Sequence, residues 1–476
     1  MSDVVQKLWG YCHTLRHDGI DYGDYIEQLT YLLFLKMANE RSLKLPKDCG
    51  WQTLKENNSL NLTRHYTAVL SKLSSKKGLL GDIFFEAQSR FSKPVNLEKL
   101  ISLIDEIEWT KLDIDVKAQA FEGLLQRAAS EGKKGAGQYF TPRPLIKSIV
   151  RCIKPDPRTQ AEFSISDPAC GSGGFLVVAY EWLMEITKNG AAINSEDYKR
   201  IRKSTYFGQE LVQRPRRLAL MNLYLHGLMP IITLGDTIYD PPGKRKYDVI
   251  LTNPPFGTKG ANEAPSRKGF KVETSNKQLN FVQHIVTVLK DGGRAAVVLP
   301  DNCLFENKAG EVFADLLGRC NVHTLLRLPR GTFSPYSNGV KANVIFLQKG
   351  MPTKTVWIYD ARSNISSVTG KERMLTEAHF AGFEQCYGKD PNGKSKREDG
   401  AEENRFRKFH ISEIKARDYK LDITWLKDEL LEDAETLPEP QDLASEAITE
   451  LEAVVADLRE IIALIEKEET VAVKSV

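Results

Sequence analysis

The stretch "DVILTNPPFG", Asp248 to Gly257, starts as an apolar run and ends in an asparagine, two prolines and an aromatic. Proline cannot donate a ladder hydrogen bond and fixes φ, so Pro254 and Pro255 end the strand and are expected to hold carbonyl groups outward as acceptors. An Asn side-chain oxygen and one fixed carbonyl can take two hydrogen bonds from a single NH₂ group, while a phenylalanine offers a face to a planar ring. Asn253, Pro254, Pro255 and Phe256 therefore describe a clamp for a planar amine. The plainer alternative is a strand terminator beside a core phenylalanine.

A second constellation is "SISDPACGSGGFL": a strand ending in Asp167, a turn containing Gly171, Ser172, Gly173 and Gly174, and a helix starting near Phe175. Glycines let the backbone approach a ligand that a Cβ would repel, and a helix start presents free N–H groups. The third glycine of the dinucleotide fingerprint would fall at Leu176, so a nucleoside cofactor other than a nicotinamide is favoured. Further on, "YFGQEL" ends a strand in Glu210, whose carboxylate can accept both hydroxyls of a ribose, and "LGDTI" places Asp236 after a third. Three acidic strand ends in order indicate a cofactor crevice. Taken singly, the turn could be strand-to-helix packing and either acid a solvated strand end.

These groups need a scaffold. Short apolar strands alternate with helical segments after about residue 160: "FSISD", "STYFGQE", "IITLGD", "YDVILTN", "RAAVVLP", "HTLLRLP" and "KANVIFLQKG". That rhythm predicts an α/β fold with a largely parallel sheet. Asn338-Gly339 suits a hairpin, so an antiparallel strand is expected to close the sheet. Before Gly135 the pattern is helical, as in "DYIEQLTYLLFLKMANERS". "TPRPLIKSIV" carries a helix start, with Thr141 as N-cap, Pro142 at the first helical position, and Leu145, Ile146, Ile149 and Val150 on one face. Beyond a Pro438/Pro440 break, Leu451, Leu458 and Ile465 fall seven apart in one long amphipathic helix.

"DPACGSGGF" together with "NPPF" resembles the paired motifs of N6-adenine DNA methyltransferases, and "GAGQYFTPRPLI" is similar to the modification subunit of type I restriction-modification systems. The likeness extends over nearly the whole chain, through "LALMNLYLHG", "LGDTI" and "YKLDITWLKD". It implies S-adenosylmethionine as cofactor. Gln138, Tyr139, Phe140, Thr141, Pro142 and Arg143 would form a lip over it, Ser172, Gly173 and Gly174 would lie near its methionine part, Glu210 would hold the ribose and Asp236 the cofactor's adenine. Asn253 and the Pro254 carbonyl would bind the target N6, with Phe256 stacked on a flipped-out base and no metal involved. The implied architecture is a helical N-terminal domain (1–135), a Rossmann-like methyltransferase domain (136–400) and a C-terminal helical tail for docking (401–476). About 75 residues with an acidic helix follow the sheet, so sequence choice is expected to belong to a specificity subunit. DNA, that subunit, a restriction (nuclease and translocase) subunit and two copies of this chain per complex are the implied partners. Two rivals remain open at this stage: a non-catalytic DNA-binding scaffold, and an N-methyltransferase acting on RNA or a protein glutamine.

Bulk properties agree with a multidomain cytoplasmic protein of 476 residues, 41% hydrophobic and 27% charged. No apolar run is long enough to span a bilayer and the N-terminus lacks a signal-peptide pattern. Seven scattered cysteines without Cys-x-x-Cys are expected to be reduced thiols, several in the core. From Pro241 to Lys277 eight basic residues face three acidic ones, which suits contact with a DNA backbone, or a solvated loop. From Asp428 to Glu469 fifteen acidic residues are opposed only by Arg459 and Lys467. "GKDPNGKS", Gly388 to Ser395, matches the P-loop pattern, but the flanking sequence offers neither strand nor helix in the required places, so it is read as a polar loop.

Overall fold

The computed structural model describes residues 7–8, 10–12, 15, 19–57, 59–109, 111, 141–256, 264–265, 267, 269–334, 339–369, 373–400, 404–427 and, in the tail, 445, 448–449, 451–452 and 455–456. The chain forms two compact units, residues 1–135 with 156–236, and residues 136–155 with 237–476.

In the first unit the Tyr22–Glu40 helix is the centre of the N-terminal helices. Asp21 caps it by accepting the Asp24 N–H, and residues on every side of it, from Tyr25 through Leu29 and Tyr31 to Met37, are buried. Helices Trp51–Glu56, Ser59–Ser74, Leu79–Phe84 and Pro94–Asp105 complete this set, in agreement with the helical reading of the sequence. Three strands follow: β1 (Ile165–Asp167), β2 (Tyr206–Glu210) and β3 (Ile231–Leu234). They are parallel, β2 in the middle, with Asp167 opposite Gly208 and Glu210 opposite Leu234. Helices Gly174–Ile186 and Ser195–Ser204 connect β1 to β2, and the Gln213–Leu225 helix connects β2 to β3.

The second unit opens with the Arg143–Ile153 helix and continues with β4 (Tyr247–Thr252), β5 (Leu289–Pro300), β6 (Cys320–Arg327), β7 (Ala342–Lys349), β8 (Thr355–Asp360) and β9 (Phe406–His410). Their order is β4-β5-β7-β6-β8-β9. β4 runs parallel to β5, and Val249, Ile250 and Leu251 are fully buried, as befits a strand covered on both faces. β7 lies antiparallel between β5 and β6, Val297 and Leu325 both facing Ile345. The expected antiparallel strand therefore exists but does not close the sheet, because β8 and β9 extend it beyond β6. Part of the sequence read as helical tail is strand: Phe406–His410 pairs with β8, the half-buried Arg407 and the exposed Lys408 having hidden the pattern. Asn338, the Pro438/Pro440 break, Leu458 and Ile465 lie outside the described residues. Among those described, no helix is long and apolar enough to cross a membrane.

Candidate active site

In the first unit the glycine turn is folded back onto the end of β2. Asp167 closes its start by accepting the Ala169 N–H (3.1 Å). The Cys170 N–H then donates to the Gln209 carbonyl (3.0 Å), and Gly208 permits this approach because a Cβ there would strike Ile232 and Cys170. One residue on, the Gly171 N–H donates to Glu210 Oε2 (2.9 Å), while Glu210 Oε1 accepts the Val212 N–H (3.0 Å). Those two bonds fix the plane of the carboxylate and leave lone pairs on both oxygens for ribose hydroxyls. Burial pushes the Glu210 carboxyl up, against the N–H groups of Val212, Gly171 and Leu211, which favour the charged form. Gly171 and Gly173 both hold positive φ (51° and 82°), which only glycine adopts without strain. A Cβ on Gly171 would meet nothing within 4 Å, so the turn is open there. The Gly235 N–H donates to the Glu210 carbonyl (3.1 Å), bringing Asp236 next to the end of β2.

In the second unit, Asn253 follows the last residue of β4. Its Nδ2 donates to Thr141 Oγ1 (2.9 Å), and its Oδ1 is buried with no partner among the described residues. The amide is thereby oriented with its acceptor uncommitted. Thr141 is available for this because it does not cap the helix as expected: Pro142 is the N-cap, the helix begins at Arg143, and Pro144 occupies its first turn. A residue before proline is held in extended conformation, which turns Thr141 away from the helix start. Leu145, Ile146, Ile149 and Val150 do form the buried face. Phe256 is 9% exposed and meets Phe333 edge-on, with ring centroids 5.5 Å apart at 88°. One expectation is corrected: the Pro255 carbonyl is not an outward acceptor, since Gln278 Nε2 donates to it (2.7 Å). Pro254 is left as the proline of the pair with an acceptor to offer.

Phe333 and Gln278 escaped the sequence reading, being remote in the chain and without a motif of their own. Asn222 also escaped it, although a lone asparagine in the apolar run "LALMNLYL" was a usable signal. Gln138, Tyr139 and Phe140 lie outside the described residues. The basic stretch loses several of its charges to structural work. Arg267 donates to the carbonyls of Thr237, Ile238 and Asp240 and to His284, while Lys271 pairs with Asp315 (2.6 Å) and Lys246 donates to the Thr287 carbonyl (2.6 Å). Burial and Arg267 push His284 down to about 3, so it stays a neutral acceptor. The P-loop lookalike follows the Ala378–Tyr387 helix instead of a strand, and Asp390 Oδ1 takes the Asn392 and Lys394 N–H groups that a phosphate would need. None of the seven cysteines is in a disulfide, and six of them are buried. No cluster of metal-binding side chains occurs among the described residues.

Residues 112–431 match the family described as N-6 DNA Methylase, and residues 4–106 match the HsdM N-terminal domain. The chain is 39% identical to the type I restriction enzyme StySJI methylase subunit of Salmonella typhimurium over 506 aligned positions, covering 96% of this chain and 94% of that one. It is 38% identical to the EcoKI methylase subunit of Escherichia coli at the same coverage. Among solved structures, the crystal structure of the EcoKI M protein is similar with a TM-score of 0.56 at 34% identity, covering 98% and 96% of the two chains. A chain from a structural study of type I R-M complex assembly and conformational transition reaches 0.75 at 27% identity, covering 98% and 99%.

Proposed function

The chain belongs to the N-6 DNA methylase family, among the methylase subunits of type I restriction-modification systems, and from that premise we propose how its residues divide the work. It is an adenine-specific N6 DNA methyltransferase.

S-adenosylmethionine fits the first unit: the fixed Glu210 carboxylate suits a ribose diol, and the open glycine turn leaves room for the rest of a nucleoside-linked amino acid. When bound, it supplies a methyl group carried on a positively charged sulfur. Glu210 accepts from the ribose, Asp236 from the cofactor's adenine, and Ser172, Gly173 and Gly174 lie along the methionine part.

Asn253 Oδ1 and the Pro254 carbonyl each accept one N–H of the target adenine's N6. That pulls both protons out of the ring plane and frees the nitrogen lone pair from conjugation, so N6 becomes nucleophilic without a strong base. Thr141 keeps the Asn253 amide in the orientation that presents oxygen. Phe256, steadied by Phe333, stacks on the base, which has to leave the duplex at a cost of roughly a few kcal/mol. Docking to a specificity subunit, alongside a restriction subunit and a second copy of this chain, is the assembly this reading expects on DNA.

One observation carries the proposal: a buried asparagine acceptor at a strand end, bonded to Thr141 through its Nδ2 and left without a partner for its Oδ1 among the described residues. In the reconstituted complex, Asn253→Ala is expected to reduce methyl incorporation into duplex DNA by about 10²-fold or more. Phe256→Ala is expected to cost about 1–3 kcal/mol of base binding. Both should bind S-adenosylmethionine like the parent in calorimetric titration. Undiminished turnover in Asn253→Ala would remove the clamp.

A further inference from the structure

The Gln213–Leu225 helix uses two faces for two different tasks. Ala219 and Asn222, three residues apart, share the face that meets the glycine turn. Gly173 packs on Ala219, where a Cβ would make van der Waals contact at 3.4 Å with its Cα and Cβ, and Asn222 Nδ2 donates to the Ser172 carbonyl (3.1 Å). Asn222 is 1% exposed, and its Oδ1 is buried with no partner among the described residues. Flipping the amide would aim that oxygen at the Ser172 carbonyl, so the orientation is determined by the turn. A leucine would fill this place without the cost of an unsatisfied acceptor. What asparagine adds is a hold on the one non-glycine residue between Gly171 and Gly173.

The second face grips the N-terminal helices. Arg217 is 3% exposed and bonds Glu27 and the carbonyls of Ile83 (2.8 Å) and Phe85, its guanidinium lying 5.0 Å from the Tyr31 ring. Arg216 reaches Asp82 (2.7 Å) from one side and the Ile232 carbonyl of β3 (2.8 Å) from the other. One turn of helix separates these arginines from the residues that hold the glycine turn. Over so short a span the hydrogen-bonded helix offers a direct mechanical link between the grip at Arg217 and the residues that hold Ser172 and Gly173.

We propose that Asn222 is a positioning residue for the cofactor turn, and that the Glu27–Arg217 pair acts through the same helix, so that the N-terminal helices set the affinity of the methyltransferase for its cofactor. This rests on the assignment of the glycine turn and Glu210 to S-adenosylmethionine. No part of the N-terminal region needs to touch the ligand for the effect.

The test uses the full-length chain, with calorimetric titration of S-adenosylmethionine and steady-state methylation in the reconstituted complex. Asn222→Ala should weaken binding about tenfold, the scale of one buried hydrogen bond. Glu27→Ala should weaken it severalfold, and Glu27→Gln, which keeps an acceptor for Arg217, should recover most of the loss. In each case KM for the cofactor should rise while kcat at saturating cofactor holds, a split that partial unfolding would reverse by lowering kcat. The Glu27→Ala/Asn222→Ala pair should lose less than the product of the single losses, since both act through one helix. Parental affinity in Asn222→Ala, strictly multiplicative losses in the pair, or a fall in kcat alone would each overturn the proposal. Glu210→Ala separates the two levels. If it abolishes binding while Asn222→Ala does not alter it, the site assignment stands and the positioning role falls. If Glu210→Ala binds like the parent, the site assignment falls and takes the proposal with it.

Discussion

The Glu210 carboxylate, which we propose takes the cofactor's ribose, is held in place by the fold itself. Two backbone N–H groups hold it in place, yet burial outweighs them and raises its pKa above the ordinary glutamate value of about 4.3. As pH falls through that raised value the group takes up a proton and ceases to be the two-oxygen acceptor that the proposed ribose contact needs. Affinity for S-adenosylmethionine should therefore be flat near neutrality and fall on mild acidification, before exposed carboxylates titrate. The folded state binds this proton more readily than the unfolded chain, so the linked stability rises in the same window while binding is lost. Calorimetric titrations across the mildly acidic range check this. Glu210→Gln should remove the pH dependence, and a parental acid limb in that variant would assign it elsewhere. Asn253 differs, with a single bond from its Nδ2 to Thr141 and a buried Oδ1 that has no partner among the described residues.

At the scale of elements, polar anchors decide how apolar helices are registered. Asp105, at the end of the Pro94–Asp105 helix, accepts from the fully buried Trp51 indole (2.7 Å) and from Lys36 (2.8 Å) and Lys55 (2.5 Å). Burial alone would raise its pKa, but these three donors hold the carboxyl well below the usual aspartate range. Its contribution is thus present above about pH 3.9 and is lost as pH falls through the depressed value. Asp105→Ala leaves the Trp51 N–H buried and unsatisfied, and should destabilise the chain by about 1–3 kcal/mol. Thermal melting at neutral pH measures it, and an unchanged midpoint would show the indole finding another acceptor. A comparable anchor holds the Arg143–Ile153 helix, where Arg151 forks onto Glu384 (2.9 and 2.7 Å) and Lys147 reaches Glu377 (2.8 Å) on and beside the Ala378–Tyr387 helix.

For the molecule as a whole, the tail carries the proposal about assembly. Its described residues include Ile448, Leu451 and Val455, which are 55%, 62% and 44% exposed. An apolar row at helical spacing within an acidic segment suits a partner helix rather than DNA. Deleting residues 441–476 should leave cofactor binding intact while abolishing co-purification with the specificity subunit and site-specific methylation; loss of cofactor binding instead would mean that the tail packs on its own chain. Much of this protein was legible in its residues alone. The glycines of residues 171–174 announce a turn after β1, Glu210 and Asp236 announce strand ends, and Asn253-Pro254-Pro255-Phe256 announces the end of β4, because such signals are written within a few consecutive residues. Seven of the nine strands among the described residues were visible for the same reason, as local apolar runs. Tertiary structure alone decided the rest. β7 lies between β5 and β6, and β9 joins the sheet despite Arg407 and Lys408, because strand pairing joins segments that share no local pattern. Likewise only the fold reveals that Gln278 claims the Pro255 carbonyl, that Thr141 orients Asn253 across 112 residues, and that Asn222 reaches Ser172 across 50. A hydrogen bond between remote residues leaves no periodicity to read; it exists only once the backbone has brought donor and acceptor together.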